Sequence, residues 1–424
     1  MSSKTLGLAL ACVISIATAA LGQQPGMIVD PGSVLAHAHS MHNNPAPHDI
    51  TNGQAHARFG IFGIDSIPNF NGQFFASGFD ANGNPNSHWY TNTVGNPPQM
   101  GGTTVIGAVI QPVNVVLEDA NGNIFVVNGQ PMIASVTPFV APVLNSPVFS
   151  NAAYSSSDVP TQFNDAIQRA QFFNHMKPDW HTVLNPRVAA PLYLELRQAP
   201  GCPTGPNFAG CNFAFVLKSD GTCCSVILAE FGYFESNLLQ LANFDIATGV
   251  MTTKDITTFL LPDTSVFFGD LTSCCFLGFH TALFDPNSDP VRMWAVNYSS
   301  WISPEDFVGA LFRTADVSVV SHELAETFND PFINSDAVHN FTPWWLSPNG
   351  NCQNNLETGD VIEGLPNSLY PTFMNGFLYH PQNEALLQWF EFESPSDALG
   401  GAYSYPDTTV LTQVSARQKA SCAP

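Results

Sequence analysis

The chain is poor in positive charge. Only 12 of its 424 residues are Lys or Arg, against 34 Asp or Glu, so the net charge is −22 at pH 7. A protein so acidic repels phosphate backbones and anionic lipid headgroups. We therefore expect no nucleic-acid partner. Charged residues make up only 11% of the chain, so Asn, Gln, Ser and Thr must supply most of its polar surface.

Long apolar runs are also scarce, and the one that stands out covers residues 6–21. Lys4 precedes it, and Ala20 and Gly22 provide small residues at its end. This pattern predicts a signal peptide at residues 1–22, cleaved after Gly22. No later stretch reaches the roughly 18 uninterrupted apolar residues of a membrane helix, so we expect no membrane span after cleavage. The sequence predicts a secreted protein, extracellular or periplasmic.

Beyond Cys12 in the apolar run, an even number of cysteines remains: Cys202, Cys211, Cys223, Cys224, Cys274, Cys275, Cys352 and Cys422. In an exported chain this favours disulfides, and the absence of a Cys-x-x-Cys pair disfavours a cysteine zinc site. Cys202 and Cys211 bracket a loop that they could close. We expect the adjacent pairs to bond outward, because a disulfide normally needs Cα atoms about 5.5 Å apart.

The mature chain divides into three predicted regions. Residues 23–58 form a polar leader with several histidines, which could gather a metal but are more typical of an exposed connecting segment. Residues 59–150 are predicted to be β-rich, with a hairpin turn at residues 121–123 between two apolar runs. Residues 151–424 are predicted to form an α+β metal-site domain.

Within that domain, residues 161–176 are predicted to form an amphipathic helix. Residues 276–284 and 291–299 are typical of two antiparallel strands around the turn at 285–290, and a helix start follows at 303–306. The predicted fold is therefore α+β: a mixed or antiparallel sheet with an active-site helix, preceded by the β-rich region. Strand, strand, then helix is the order found in zinc hydrolases of the zincin type.

The helix that carries the chemistry is predicted over residues 317–331, VSVVSHELAETFNDP. Its apolar residues recur at three- and four-residue steps and predict one buried stripe: Val317, Val320, Leu324 and Phe328. Asp330 precedes Pro331, which disfavours helical backbone and predicts the end of the helix there.

His322 and Glu326 lie one turn apart on this helix, about 40° around its axis, with Cβ atoms roughly 6 Å apart. One turn of helix can present two ligands to one ion, while Glu323 beside the first can take a proton from the ion's water. The familiar form of this motif is His-Glu-x-x-His, and Glu326 stands where its second His would be. The other possibility is that these residues decorate a solvated helix face.

A further ligand must come from elsewhere, and Asp330, Glu357 and Asp360 are the candidates. Zinc is the expected ion. A carboxylate in place of the second imidazole shifts the preference toward harder ions, so calcium and manganese are alternatives. His280, in a predicted strand, is interpreted as a core or edge histidine in preference to a metal or substrate contact.

The last quarter of the chain resembles a group of secreted bacterial proteins described as zinc-peptidase-like. The matching segments, in order, are HELAETFNDP, TPWW, CQNNLETGD and YHPQNEALLQWF. This resemblance implies importance for the six residues His322, Glu323, Glu326, Asp330, Glu357 and Asp360. The Cys-x-x-x-x-His stretch from Cys275 to His280 also resembles the plant exordium, or phosphate-induced, secreted proteins, which lack a His-Glu helix.

These observations predict an exported metal-dependent hydrolase of metallopeptidase-like type, with Glu323 as general base and His322, Glu326, Asp330, Glu357 and Asp360 as candidate metal ligands. Its substrate would be an extracellular protein or peptide, or a cell-surface molecule. The alternative is an extracellular binding or structural protein in which the same acids hold a non-catalytic ion.

Overall fold

The computed structural model describes residues 64–79, 85–154, 159–202, 210–270, 274–285, 287–332, 345–350, 352–353, 356–391, 393–414 and 416–417. The predicted signal peptide, the histidine-bearing leader and Cys422 lie outside these ranges.

The described helices, in chain order, are α1 Thr137–Leu144, α2 Phe163–Gln171, α3 Phe231–Thr248, α4 Phe307–Phe312, α5 Ser318–Asn329 and α6 Leu387–Phe390, with 3-10 turns at Pro98–Met100 and Leu399–Gly401. The described strands are β1 Ile64–Asp65, β2 Asn69–Phe79, β3 Pro85–Val94, β4 Thr103–Glu118, β5 Val126–Val127, β6 Gln130–Pro131, β7 Ile133–Ala134, β8 His181–Val188, β9 Leu192–Arg197, β10 Phe213–Val216, β11 Val226–Glu230, β12 Asp255–Pro262, β13 Thr264–Phe267, β14 Cys274–Phe276, β15 Gly278–Asp285, β16 Val291–Trp301, β17 Trp345–Leu346, β18 Cys352–Gln353, β19 Thr372–Met374, β20 Phe377–Tyr379, β21 Glu384–Ala385, β22 Ser404–Tyr405 and β23 Ala416–Arg417.

An eight-stranded sheet forms the centre of the fold, with the order β1-β16-β12-β4-β7, with β15 beside β16 and with β8 and β9 beside β4. Strand β4 is parallel to β12, β8 and β9, while β15 and β7 pair antiparallel with their neighbours. The long, nearly continuous apolar run of β4 explains its central position, because a strand buried on both faces needs no polar alternation. The prediction of helices and strands around a mixed sheet is confirmed, although most of the pairings are parallel.

The predicted local elements are largely confirmed. At the turn of residues 121–123, Asp119 N donates to Asn123 O at 2.8 Å and Phe125 N donates to Leu117 O at 2.9 Å, which makes the hairpin. Strands β15 and β16 pair antiparallel from Gly278 opposite Ser299 to Asp285 opposite Arg292. The helix predicted at 161–176 is α2, which ends earlier, at Gln171.

The predicted buried stripe of α5 is also confirmed: Val317, Val320, Leu324 and Phe328 are all at most 1% exposed and belong to one core cluster. The helix packs against β15 and β16 of the central sheet and is buried around its whole circumference. His322, Glu323 and Glu326 are therefore buried as well. The possibility that they decorate a solvated helix face is ruled out by this burial.

The cysteines follow the predictions in part. Cys202 and Cys211 form a disulfide, with Cα atoms 5.2 Å apart, as expected. The expectation that adjacent cysteines bond outward is wrong, because Cys223 bonds Cys224 and Cys274 bonds Cys275. Each of these pairs spans a cis peptide bond, which brings the two Cα atoms to 3.1 Å. Within the described ranges, no helix is long and apolar enough to cross a membrane.

Candidate metal centre

The centre forms where α5 lies directly against strand β15. A Cβ on Gly278 would lie 2.7 Å from Val319 Cγ1 and 2.8 Å from Glu323 Cγ, so only glycine allows this approach. Side chains two residues apart on a strand share a face, which puts His280 on the same side as Gly278, toward α5. Phe279 faces the other way and packs on Tyr298, with ring centroids 5.4 Å apart.

The segment of residues 356–363 closes the other side of α5 through a second glycine. A Cβ on Gly359 would lie 2.5 Å from His322 Nδ1, so a larger residue could not occupy this position without displacing the imidazole. The backbone N–H groups of Gly359 and Asp360 donate to Glu326 Oε1 at 3.1 and 3.3 Å. Glu326 thus anchors this segment on the helix.

This docking brings His322, Glu326 and Asp360 together. His322 Nε2 lies 3.2 Å from Glu326 Oε1 and 3.4 Å from Asp360 Oδ1. The three donor atoms all lie within 4.8 Å of one another. Zinc bonds of about 2.0–2.2 Å in tetrahedral geometry separate neighbouring donors by about 3.4 Å. The spacing of these side chains therefore fits a single ion.

Gln382 supports the imidazole of His322 from behind. Its Nε2 lies 2.9 Å from His322 Nδ1 and donates to Gly359 O at 2.7 Å. Its backbone N–H donates to Ser321 Oγ at 2.9 Å, which holds the chain around Gln382 against α5. A hydrogen-bonding partner on the second ring nitrogen is what holds a metal-binding histidine in orientation. The sequence reasoning did not single out Gln382.

His280 and Glu357 lie on the opposite side of Glu326. His280 Nδ1 is 3.3 Å from Glu326 Oε2 and 3.6 Å from Glu357 Oε2. Sequence reasoning favoured a core or edge role for His280, whereas the structure surrounds its Nδ1 with carboxylates. The alternation of side chains along a strand is the sequence signal for this position of His280. It places Gly278 and His280 on one face, and that face meets the helix.

Glu323 lies between the two imidazoles. Its Oε1 is 3.9 Å from His322 Nε2, and its Oε2 is 3.9 Å from His280 Nδ1. Both distances exceed the donor spacings around Glu326. Asp330, a predicted ligand, is fully buried at the end of α5, where its N–H donates to Glu326 O at 2.7 Å. The described residues contain two groups of three potential metal donors, His322–Glu326–Asp360 and His280–Glu323–Glu326, and Asp330 belongs to neither.

The charges of Glu326 and the imidazoles stabilise each other. Burial opposes ionisation of Glu326, but His322 and His280 outweigh it and hold the pKa of this carboxyl well below its usual range. Burial likewise opposes a charge on His322, but Glu326 and Asp360 outweigh it and raise the pKa of the imidazole well above its usual range. These residues therefore favour an ionised carboxylate next to positive charge.

The other carboxyls resist ionisation. Burial raises the pKa of Glu323, Glu357 and Glu384 well above the usual range, and the charge of Glu326 adds to each increase. Burial and Asp360 raise the pKa of Glu363 to about 7. Such a concentration of buried acids favours bound cations, because a cation stabilises the ionised form of every carboxylate around it.

No protein-family model, curated protein or solved structure matches the chain.

Proposed function

We propose that the protein is an exported metal-dependent hydrolase of metallopeptidase-like type, in which His322, Glu326 and Asp360 bind one divalent ion and Glu323 is the general base. The observation that carries this proposal is the spacing of Glu326 and Asp360 around His322 Nε2, 3.2 and 3.4 Å, with a third carboxylate, Glu323, alongside. Three protein ligands leave one position of a tetrahedral ion for water or substrate.

The donor set favours zinc. Imidazole suits zinc better than manganese or calcium, while the two carboxylates keep manganese and calcium as alternatives. A divalent ion held here would act as a Lewis acid and lower the pKa of a bound water to about 7.

Glu323 has the position of a proton acceptor. At 3.9 Å from His322 Nε2, its Oε1 is adjacent to the donor group but farther away than the ligand spacing. Its other oxygen faces His280 and has no hydrogen-bond partner among the described residues. A general base in such a position contributes about 100- to 10,000-fold to the rate.

Substrate would approach from the side of Asp360. The side chains of Asp360 and His322 are 18% and 10% exposed, whereas those of Glu323 and Glu326 are 4% and 2% exposed. The carbonyl to be hydrolysed would therefore reach the ion past Asp360, with Glu323 on the buried side. Proteins or peptides outside the cell, or at its surface, are the proposed substrates.

Gln382 is proposed to be a positioning residue for His322. An ion at Nε2 requires the ring proton on Nδ1, and the side-chain oxygen of Gln382 would then have to accept it. We therefore expect ion binding to rotate the amide of Gln382, which now donates to Gly359 O.

Two further features support this class of protein. The Cys202–Cys211 disulfide and the two adjacent-cysteine disulfides suit an oxidising, extracellular environment. In zincins, too, a His-Glu helix packs against strands of a sheet, as α5 packs against β15 and β16 here. This likeness supports a zincin-like active-site helix as part of the proposal.

The second candidate function is a non-catalytic, structural ion site. The burial of Glu323, Glu326 and His280, each at most 4% exposed, favours it, since structural ions are enclosed by protein. In that case the ion would stabilise the fold, and no variant of Glu323 would affect any hydrolysis.

The test is hydrolysis of a general peptide library by zinc-loaded wild-type protein, with Glu323→Gln and His322→Ala variants. Glu393→Gln serves as the matched control, because Glu393 is another buried glutamate away from the centre. We expect Glu323→Gln to retain its zinc and lose activity by about 100-fold or more, and His322→Ala to lose both. Full activity of Glu323→Gln would refute the general-base role, whereas zinc binding without hydrolysis in the wild type would favour the structural function.

A further inference from the structure

The two oxygens of Glu326 face two different imidazoles. Oε1 is 3.2 Å from His322 Nε2, and Oε2 is 3.3 Å from His280 Nδ1. The group around Oε2 also contains Glu357, whose Oε2 is 3.6 Å from the same nitrogen of His280. A carboxylate with one oxygen in each of two donor groups has the arrangement of a ligand shared by two ions.

The spacing of this second group also fits an ion. Metal bonds of about 2.0–2.2 Å separate neighbouring donors by about 3–3.6 Å, depending on the coordination geometry. The distances from His280 Nδ1 to Glu326 and Glu357, 3.3 and 3.6 Å, lie in this range. Glu323 also has an oxygen within 4.8 Å of donor atoms of His280 and Glu326. At 3.9 Å from each imidazole, however, it is farther away than Glu357 is from His280. Glu357 is therefore the nearer third ligand, and Glu323 lies between the two donor groups.

The group of buried glutamates around Glu326 lacks a lysine or arginine partner among the described residues. The side chains of Glu323, Glu326, Glu357 and Glu384 are all buried, and in the described part of the chain no lysine or arginine forms an ion pair with any of them. A divalent cation on the His280 side of Glu326 would give Glu326 and Glu357 a partner of opposite charge.

An orphaned polar atom points to a missing partner at the same place. Glu323 Oε2 has no hydrogen-bond partner among the described residues, although its side chain is only 4% exposed and this oxygen faces His280. Buried polar atoms in proteins are nearly always satisfied, so an orphan at a carboxylate cluster suggests a ligand.

We infer that a second divalent cation binds between His280, Glu326 and Glu357, so that Glu326 bridges two ions. Carboxylate-rich sites with imidazole suit manganese and zinc. Two ions a few ångströms apart stabilise the attacking and the leaving oxygen of a displacement together. This inference rests on the proposed function only for the first ion. The second ion is inferred from the distances of His280 to Glu326 and Glu357.

The test is metal loading of the full chain, stripped with a chelator and reloaded with MnCl₂, followed by elemental analysis and electron paramagnetic resonance. We expect two manganese ions per wild-type chain with an exchange-coupled spectrum. His280→Gln and Glu357→Gln are each expected to bind one ion with an uncoupled spectrum. Two variants are used so that the test still holds if one of them fails to fold. His175→Gln, far more exposed, is the control and should bind two.

The outcomes separate the second site from the proposed function. One ion in the wild type, unchanged in His280→Gln and lost in His322→Ala, would overturn the second site and leave the proposed function intact. No bound ion in the wild type would overturn both. Two ions that both survive in His280→Gln and Glu357→Gln would also overturn the second site as assigned here.

Discussion

Replacement of Gly359 by alanine tests whether the close approach of residues 356–363 to α5 creates the metal site. In this variant a Cβ would lie 2.5 Å from His322 Nδ1 and 2.6 Å from its Cγ. Ordinary contacts between such atoms are about 3.5 Å, so the ring or the segment must move by roughly 1 Å. Metal–ligand distances tolerate changes of only about 0.2 Å. The donors on His322 and Asp360 would therefore no longer fit one ion.

We expect Gly359→Ala to weaken zinc binding by about 10- to 100-fold, the range seen when the support of a metal ligand is lost. Its cost to folding should be about 1–3 kcal/mol, as for other overpacked sites. Zinc affinity would be measured by calorimetry or by competition with a chelating dye, and stability by urea unfolding of the metal-free protein.

Gly232→Ala is the matched control for this substitution. Its new Cβ would lie 3.5 Å from Glu230 Oε2, an ordinary contact, and the position is in a helix, where alanine is favoured. We expect unchanged zinc affinity and equal or slightly higher stability. Zinc affinity of Gly359→Ala within threefold of the wild type would refute the account of how His322 is held.

Three other predictions concern the core, pH and the ion. Leu324→Ala should destabilise the protein by about 2–5 kcal/mol in urea unfolding, against well under 1 kcal/mol for Leu239→Ala, because Leu324 is fully buried and Leu239 is 37% exposed; similar losses would contradict the packing of α5. Asp316, 2.6 Å from His380 Nδ1, raises the pKa of this histidine, so His380→Asn should cost about 1–2 kcal/mol at pH 5.5, below the usual histidine pKa, and less as pH rises through the raised value; a loss independent of pH would exclude this cause. Removal of bound metal with a chelator should lower the melting temperature, and zinc at 100 times its dissociation constant should restore about 2.7 kcal/mol; an unchanged melting temperature would contradict a native-state ion site.

The helix and its stripe could be predicted because their information is local. Val320, Leu324 and Phe328 recur with helical spacing, and this alone identifies the buried face. The hairpin at residues 121–123 and the turn at 285–290 depend on turn residues between apolar runs, which are also local signals. The downstream acids Glu357 and Asp360 could be proposed because a one-turn helical pair needs a further ligand from elsewhere.

The remaining features depend on contacts between distant parts of the chain. The pairing of β4 with β12 and β8 sets the mostly parallel sheet, and nothing in the β4 sequence specifies its neighbours. His280 lies in the centre because the pairing of β15 with β16 and the packing of α5 on β15 turn this residue toward the helix. Gln382 reaches His322 from 60 residues away. The Cα spacing of an ordinary disulfide disfavours a bond between adjacent cysteines, whose Cα atoms lie 3.1 Å apart in both pairs here.

The most direct test of the central claim is a crystal structure of the zinc-soaked protein with anomalous data collected on both sides of the zinc absorption edge. The account predicts an anomalous peak about 2.0–2.2 Å from His322 Nε2, Glu326 Oε1 and Asp360 Oδ1, with the Gln382 amide rotated toward Nδ1. A fully ordered centre without an anomalous peak, with His322 still hydrogen-bonded to the carboxylates at saturating zinc, would contradict it.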